Sequence, residues 1–252
     1  MIHFVGAGSG APDLITVRGK KYLEEADVIL YAGSLVNPQL LKDVKEACSI
    51  YNTATMTLEE VLGVMEQSEK DGKMTVRLHT GDPCIYGAIR EQMDRLDEKG
   101  IGYDVCPGVS SFCGAAASLK KEYTLPGVSQ SVIITRMAGR TPVRDEESIR
   151  SLAAHQATMV IFLSAGMLRE LSEELIAGGY REDTPAAICY KVTWEDEMII
   201  HCTVGELEEK AKENHITKTA LICVGNFLGN EYELSKLYDA HFTTGFREAK
   251  KA

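Results

Sequence analysis

The chain predicts an α/β protein built as two α/β domains, with a mainly parallel sheet in the N-terminal domain and a mixed sheet in the C-terminal one. Three observations carry this expectation. Short β-rich runs alternate with helical patterns through the first half, an order that favours parallel strands with covering helices. Around residues 120 to 130 the sequence becomes KKEYTLPGVSQ, where Pro126 and Gly127 follow a small-residue run and a second series of strands begins. In that series two strand patterns are separated only by Thr193 to Asp196, which suggests a hairpin and hence antiparallel pairing. The expected domains are residues 1–122 and 123–252.

In chain order, the first-half strands are expected at IHFVG (2–6), DVILY (27–31), MTVRLH (74–79) and YDVC (103–106). Thr57-Leu58-Glu59-Glu60 has capping-box spacing and opens a helix with Leu58, Val61, Leu62 and Met65 on one face, ending near Asp71-Gly72. A further helix runs from about Ala88 to Lys99, with Gly100 as its left-handed stop. The later strands are SVIITR (131–136), TMVIFLS (158–164), PAAICYKV (185–192), EMIIHC (197–202) and TALICVG (219–225). Met167, Leu168, Leu171, Leu175 and Ile176 recur at helical spacing up to Gly178-Gly179 and read as core packing.

With 44% hydrophobic and 25% charged residues, 252 residues suffice for two cores. Seven cysteines without a C-x-x-C pair, most of them in apolar runs, read as buried free thiols in a reducing compartment. The six histidines lack metal-site spacing, so no metal is expected. The chain opens directly into a strand pattern and has no apolar stretch near the ~18 residues of a membrane span. It is therefore expected to be soluble and cytoplasmic. A net charge of -10 opposes attraction to nucleic acid or anionic lipid, so any anionic ligand would need a local cluster of cations.

Gly6-Ala7-Gly8-Ser9-Gly10 follows the first strand, in the setting of a dinucleotide fingerprint. Its spacing is wrong for one: Ala11 stands where a third glycine is needed, and Pro12 interrupts the turn. The loop lines a different cleft or is a structural turn. Gly81-Asp82-Pro83 follows the third strand and leads through Cys84-Ile85-Tyr86-Gly87, so it sits beyond a strand's carboxyl end, where open α/β sheets bind ligands. Asp82 is equally placed to cap a helix. Pro107-Gly108-Val109-Ser110-Ser111-Phe112 repeats the arrangement after the next strand, and either serine can cap the helix behind it. Arg136, Arg140 and Arg144 lie within nine residues around Met137-Ala138-Gly139; they are either a carboxylate clamp or surface charge paired with Asp145, Glu146 and Glu147.

In order, GAGSGAPDLIT, ADVILYAGSLV, TGDPCIYG, PGVSSF, VIFLSAG, TPAAICYKVTWEDE and TALICVG resemble the tetrapyrrole methylase family, the class III S-adenosylmethionine methyltransferases, over nearly the whole chain. YAGSLV, TRMAGRTPV and the ending SKLYDAHFTTGFR resemble the branch whose members methylate precorrin-4 or cobalt-precorrin-4 at C11. The resemblance implies a homodimer that makes corrins, each subunit a pair of α/β domains with the active-site cleft between them. S-adenosyl-L-methionine is the implied cofactor and S-adenosyl-L-homocysteine its product. By resemblance the cofactor contacts are Thr80, Gly81, Asp82, Pro83, Ile85, Ser110, Ser111, Phe112, Leu163 and Ser164, with Ala187 and Ala220 leaving room for adenine. The anionic tetrapyrrole would meet Gly8, Ser9, Gly10, Tyr31, Ser34, Tyr86, Arg136 and Arg140. Ala32 follows Tyr31 where the uroporphyrinogen branch has an acidic residue, so no proton-transfer role is carried over and no catalytic base is named.

Methyl transfer to an electron-rich carbon asks chiefly for orientation and exclusion of water. The alternatives are methylation at another ring position or of protein or ribosomal RNA, a noncatalytic module for an S-adenosyl ligand, and a dehydrogenase.

Overall fold

The computed structural model describes residues 1–250, the side chain of Ser34 excepted. The described residues fall into two compact units: Met1–Ser118 with Lys191–Met198, and Leu119–Tyr190 with the chain from Ile199 onward.

The first unit holds strands β1 (Ile2–Gly6), β2 (Val28–Tyr31), β3 (Ser49–Asn52), β4 (Thr75–His79) and β5 (Tyr103–Cys106), in the order β3-β2-β4-β1-β5. Every pairing in it is parallel. Helices α1 (Val17–Glu25), α2 (Leu58–Lys70), α3 (Arg90–Glu98) and α4 (Ser111–Leu119) accompany the sheet. Strand alternation divides the core between its two faces. Ile2, Phe4, Val28 and Leu30 pack with Val61, Leu62 and Met65 of α2 and Leu96 of α3. Val5, Ile29, Val76 and Leu78 pack with Leu23 of α1 and with Ala26. The edge strand β3 was not visible in the sequence: SIYN has no apolar alternation, and all four residues are exposed.

The second unit holds β6 (Val132–Arg136), β7 (Thr158–Phe162), β8 (Pro185–Tyr190), β9 (Met198–Thr203) and β10 (Ala220–Val224), ordered β6-β7-β10-β8-β9. β6 and β7 are parallel, whereas β10 is antiparallel to both β7 and β8, so this sheet is mixed as expected. Helices α5 (Ile149–Ala153), α6 (Leu168–Ala177) and α7 (Leu207–Glu213) contribute Ile149, Leu171, Leu175 and Leu207 to a core shared with Met159, Ile161, Ile188 and Ile222. β8 and β9 are sheet neighbours, but the stretch joining them is more than a turn: residues 191–198 pack into the first unit.

Two expectations change. All seven cysteines are free, yet only Cys106, Cys189 and Cys223 are buried; Cys84 and Cys113 are exposed, because they lie on loop and helix-start positions rather than in the sheets. α3 starts at Arg90 and not at Ala88, since Ala88 has φ +49°, outside the helical region. Among the described residues no helix is long and apolar enough to cross a membrane.

The capping box is formed in full, with Thr57 Oγ1 accepting from Glu60 N while a Glu60 carboxylate oxygen accepts from Thr57 N at 2.7 Å. Thr57→Ala is expected to lower unfolding free energy by ~1 kcal/mol, measured by urea denaturation at neutral pH, with the native fold retained.

Candidate active site

The parallel sheet of the first unit sends β1, β4 and β5 into three glycine-bearing loops at one edge, and these loops touch through their backbones. Gly8 and Gly81 form a two-residue antiparallel bridge, Gly81 N donating to Gly8 O at 2.9 Å. A side chain at Gly6 would meet Gly81 O at 2.5 Å and Gly108 Cα at 2.6 Å, and one at Gly108 would meet Gly6 Cα at 2.7 Å. No residue larger than glycine fits either place without backbone movement. Asp82 ties the cluster: one carboxylate oxygen accepts from Gly108 N at 2.9 Å and the other from Cys84 N at 2.8 Å. Asp82 therefore caps no helix; it joins the β4 loop to the β5 loop.

Gly81 has φ +61°, and a Cβ there would lie 3.5 Å from both Ser110 Cα and Ser111 N, at the start of α4. The β4 loop thus adjoins a helix N-terminus, where unpaired N–H groups favour negative charge. Thr80 Oγ1 is buried without a partner in this loop. Pro83 to Gly87 then wind tightly, with Ile85 N donating to Asp82 O and Gly87 pressed against the Pro83 carbonyl. Half-exposed Tyr86 is held at φ +56°.

The resemblance assigned the first glycine loop to the substrate side, and the structure shows what holds that loop in place. Gly8, Ser9 and Gly10 are all buried, covered by the chain's own 191–198 stretch. Ser9 Oγ and Thr193 Oγ1 are 3.0 Å apart, Ala11 N donates to Thr193 Oγ1 at 3.0 Å, and any side chain on Gly10 would run into the Trp194 indole. Glu197 steadies this stretch by accepting from Thr193 N and from Ser118 Oγ, while buried Asn37 donates to Gly10 O at 2.9 Å. Sequence reasoning missed Thr193, Trp194 and Asn37 as loop supports. The available signal was the single tryptophan, in TWEDE.

Tyr31 is half-buried at the end of β2, with its carbonyl accepting from Thr53 Oγ1 at 3.0 Å. Ser34 lies in the turn Gly33–Leu35, and its side chain is outside the described residues. Ser110 is buried, while Ser111 and Phe112 open α4.

In the second unit, Arg136 ends β6 with its guanidinium turned onto its own loop, donating to the carbonyls of Thr141 and Pro142 at 3.2 Å. That arrangement fixes the guanidinium against the loop that follows β6. Arg144, not Arg136 or Arg140, pairs with Glu146. Arg140 is exposed. Ser164 is fully buried: its Oγ accepts from Met137 N at 2.9 Å and donates to Phe162 O at 2.7 Å, linking the loops after β6 and β7. Leu163 beside it is exposed at φ +53°. Ala187 and Ala220 do not share a face: Ala220 belongs to the core with α5 to α7, whereas Ala187 alternates away from it. Among the described residues no group of three or more His, Cys, Asp or Glu could hold a metal ion.

Two titratable groups are buried in the strand behind the Thr80 loop. Burial, and secondarily the charge of Arg77, pushes His79 down to about 3; burial pushes Arg77 down to about 10.

The chain matches the family model of the tetrapyrrole (corrin/porphyrin) methylases over residues 1–208. It is 54% identical over 251 residues to a cobalt-precorrin-4 C(11)-methyltransferase of Methanocaldococcus jannaschii, covering 99% of this chain and 97% of that one. The X-ray structure of a cobalamin biosynthetic enzyme, cobalt precorrin-4 methyltransferase, superposes with a TM-score of 0.89 at 45% identity, covering 91% of this chain and 96% of that one. A uroporphyrin-III C-methyltransferase of Thermus thermophilus, complexed with S-adenosylhomocysteine, shares the fold at a TM-score of 0.76 and 24% identity, with 90% and 98% covered.

His79 gives a pH dependence whose sign is fixed by its neutral burial. The unfolded chain binds a proton near 6.5, while the folded chain binds it only at about 3. Stability contributed by neutral His79 is full above the unfolded value and is lost as pH falls toward the folded one, at up to ~1.4 kcal/mol per pH unit. Urea titrations across this range are expected to show that slope in the difference between the wild type and His79→Gln.

Proposed function

We propose that this chain, which belongs to the tetrapyrrole (corrin/porphyrin) methylase family, transfers a methyl group from S-adenosyl-L-methionine to C11 of precorrin-4 or cobalt-precorrin-4 in cobalamin biosynthesis. The observation that carries the site is the Thr80–Gly87 loop, locked by Asp82 against the β5 loop and set before the start of α4. Relatives named for this reaction match almost the whole chain, which supports the reading over a dehydrogenase or a noncatalytic module.

The residues present fit the cofactor. Gly81 keeps clear a space that a side chain would fill, Thr80 brings a buried hydroxyl that has no partner, and the α4 N-terminus favours a carboxylate. S-adenosylmethionine supplies an electrophilic methyl on a positively charged sulfur. The chain's part is to hold the reactants in line and keep water out. Thr80, Gly81, Asp82, Pro83 and Ile85 form the loop, with Ser110, Ser111 and Phe112 at the helix start; in the second unit Leu163 and Ser164 are the corresponding positions. Both Asp82 oxygens are engaged by backbone N–H groups, so Asp82 shapes the loop. Tyr31, Tyr86 and Arg140 are the substrate-side residues of this reading. A metal carried by the macrocycle belongs to the substrate. The homodimer of this reading is supported by the family resemblance and the cytoplasmic location by the scattered, unpaired cysteines, and the net charge of -10 argues against a nucleic-acid or anionic-membrane partner.

Calorimetric titration tests the reading: S-adenosylhomocysteine is expected to bind and NAD is not. Gly81→Val should abolish that binding in a folded protein, because valine is strained at φ +61° and its side chain would stand before Ser110 and Ser111. Binding of NAD alone would overturn the assignment.

Arg140 is exposed on a protein of charge -10, so it can attract the carboxylates of a tetrapyrrole rim. Arg140→Glu is expected to weaken tetrapyrrole binding by roughly 1 kcal/mol, the scale of an exposed ion pair, and to flatten its salt dependence. S-adenosylhomocysteine affinity should not change. Fluorescence titration at two ionic strengths measures both.

A further inference from the structure

Behind the Thr80–Gly87 loop, Arg77 and Gln92 are buried to 7% and 5% exposure. Arg77, on β4, makes no ion pair among the described residues. Its guanidinium donates only to neutral oxygens: Nε to Gln92 Oε1 at 3.2 Å, and Nη1 to Leu30 O at 3.3 Å and Leu78 O at 3.4 Å. A buried cation with neutral partners is an expensive arrangement, and apolar residues of similar volume would fill the same space.

The direction of these bonds has a consequence for the loop. A guanidinium only donates, so Gln92 must turn its oxygen to Arg77 and its amide nitrogen away. That nitrogen donates to Ala88 O at 3.0 Å. Ala88 (φ +49°) and Tyr86 (φ +56°) both occupy the left-handed region that non-glycine residues disfavour, and Gly87 between them is pressed against the Pro83 carbonyl. Asp82 holds the beginning of this wound segment; the Gln92 amide holds its end.

We propose that Arg77 and Gln92 are positioning residues for methyl transfer: Arg77 fixes the orientation of the Gln92 amide, which latches Ala88 and keeps the Thr80–Gly87 loop in its ligand-ready form. This rests on the assignment of that loop to S-adenosylmethionine. It differs from a purely structural role, in which Gln92 serves only to satisfy Arg77.

Gln92→Glu separates the two. The carboxylate keeps an acceptor for Arg77 and adds a compensating charge, but it cannot donate to Ala88 O. The expected result is a thermal midpoint equal to or above that of the wild type, with S-adenosylhomocysteine affinity reduced about 5- to 30-fold. The KM for S-adenosylmethionine should rise while kcat at saturation is retained, and amide exchange in residues 84–88 should accelerate. Unchanged affinity and unchanged loop exchange in folded Gln92→Glu would overturn the proposal. If that variant does not fold, the double variant Arg77→Met/Gln92→Met removes the buried charge together with its partner; the same loss of affinity supports the latch, and wild-type affinity refutes it. Gly81→Val distinguishes the premise: binding unaffected there means that the loop does not hold the cofactor, whereas binding lost there but intact in Gln92→Glu refutes the latch alone.

Discussion

Gly6, Gly81 and Gly108 come from three different strand ends, and their backbones approach so closely that a methyl group on the first or third would overlap the others. Such an approach brings unpaired peptide groups together, and it holds because they pair: Gly81 with Gly8 through the backbone, and Gly108 with the Asp82 carboxylate. A carboxylate accepting two N–H groups is a charge-assisted tie, stronger than a neutral one. The edge of the sheet becomes a fixed platform, and the start of α4, Thr80 and the wound segment to Gly87 take their places from it.

The 191–198 stretch bears on the same platform from its other side. It leaves β8 and returns at β9, yet Thr193 and Trp194 lie on Ser9 and Gly10, and Glu197 accepts from Ser118. Lys191 and Thr193 take positive φ values, a cost that the surrounding hydrogen bonds offset. Gly10 is then glycine for a packing reason: the indole occupies the space where its side chain would be. The first glycine loop is, at this position, a seat for the protein's own chain.

Charge is managed locally in a protein that is acidic overall. Arg136 spends its guanidinium on the carbonyls of its own loop, whereas Arg140 extends into solvent, though the two are only four residues apart. Arg77 keeps a positive charge in the core, and burial lowers its pKa without bringing it near neutrality. His79, two residues along the same strand, stays neutral beside it because burial and that charge both disfavour the imidazolium.

The sequence alone determined the strands that read as continuous apolar runs, such as Val28 to Tyr31 and Ala220 to Val224, and the helix opened by the Thr57 capping box, because these signals are local. The order of loops after β1, β4 and β5 was legible for the same reason, and so was the mixed character of the second sheet, although the antiparallel strand is β10 and the expected hairpin is a longer stretch packed into the first unit. Only tertiary structure decided the rest. Exposed β3 exists because β2 offers it a pairing edge, not because SIYN has a strand pattern. Ala187 and Ala220 are both small and both in strands, yet which face each occupies depends on the register of β8 against β10. Whether Asp82 caps a helix or binds Gly108, and what covers Ser9, turns on partners 26 and 184 residues away, a distance over which spacing along the chain carries no information.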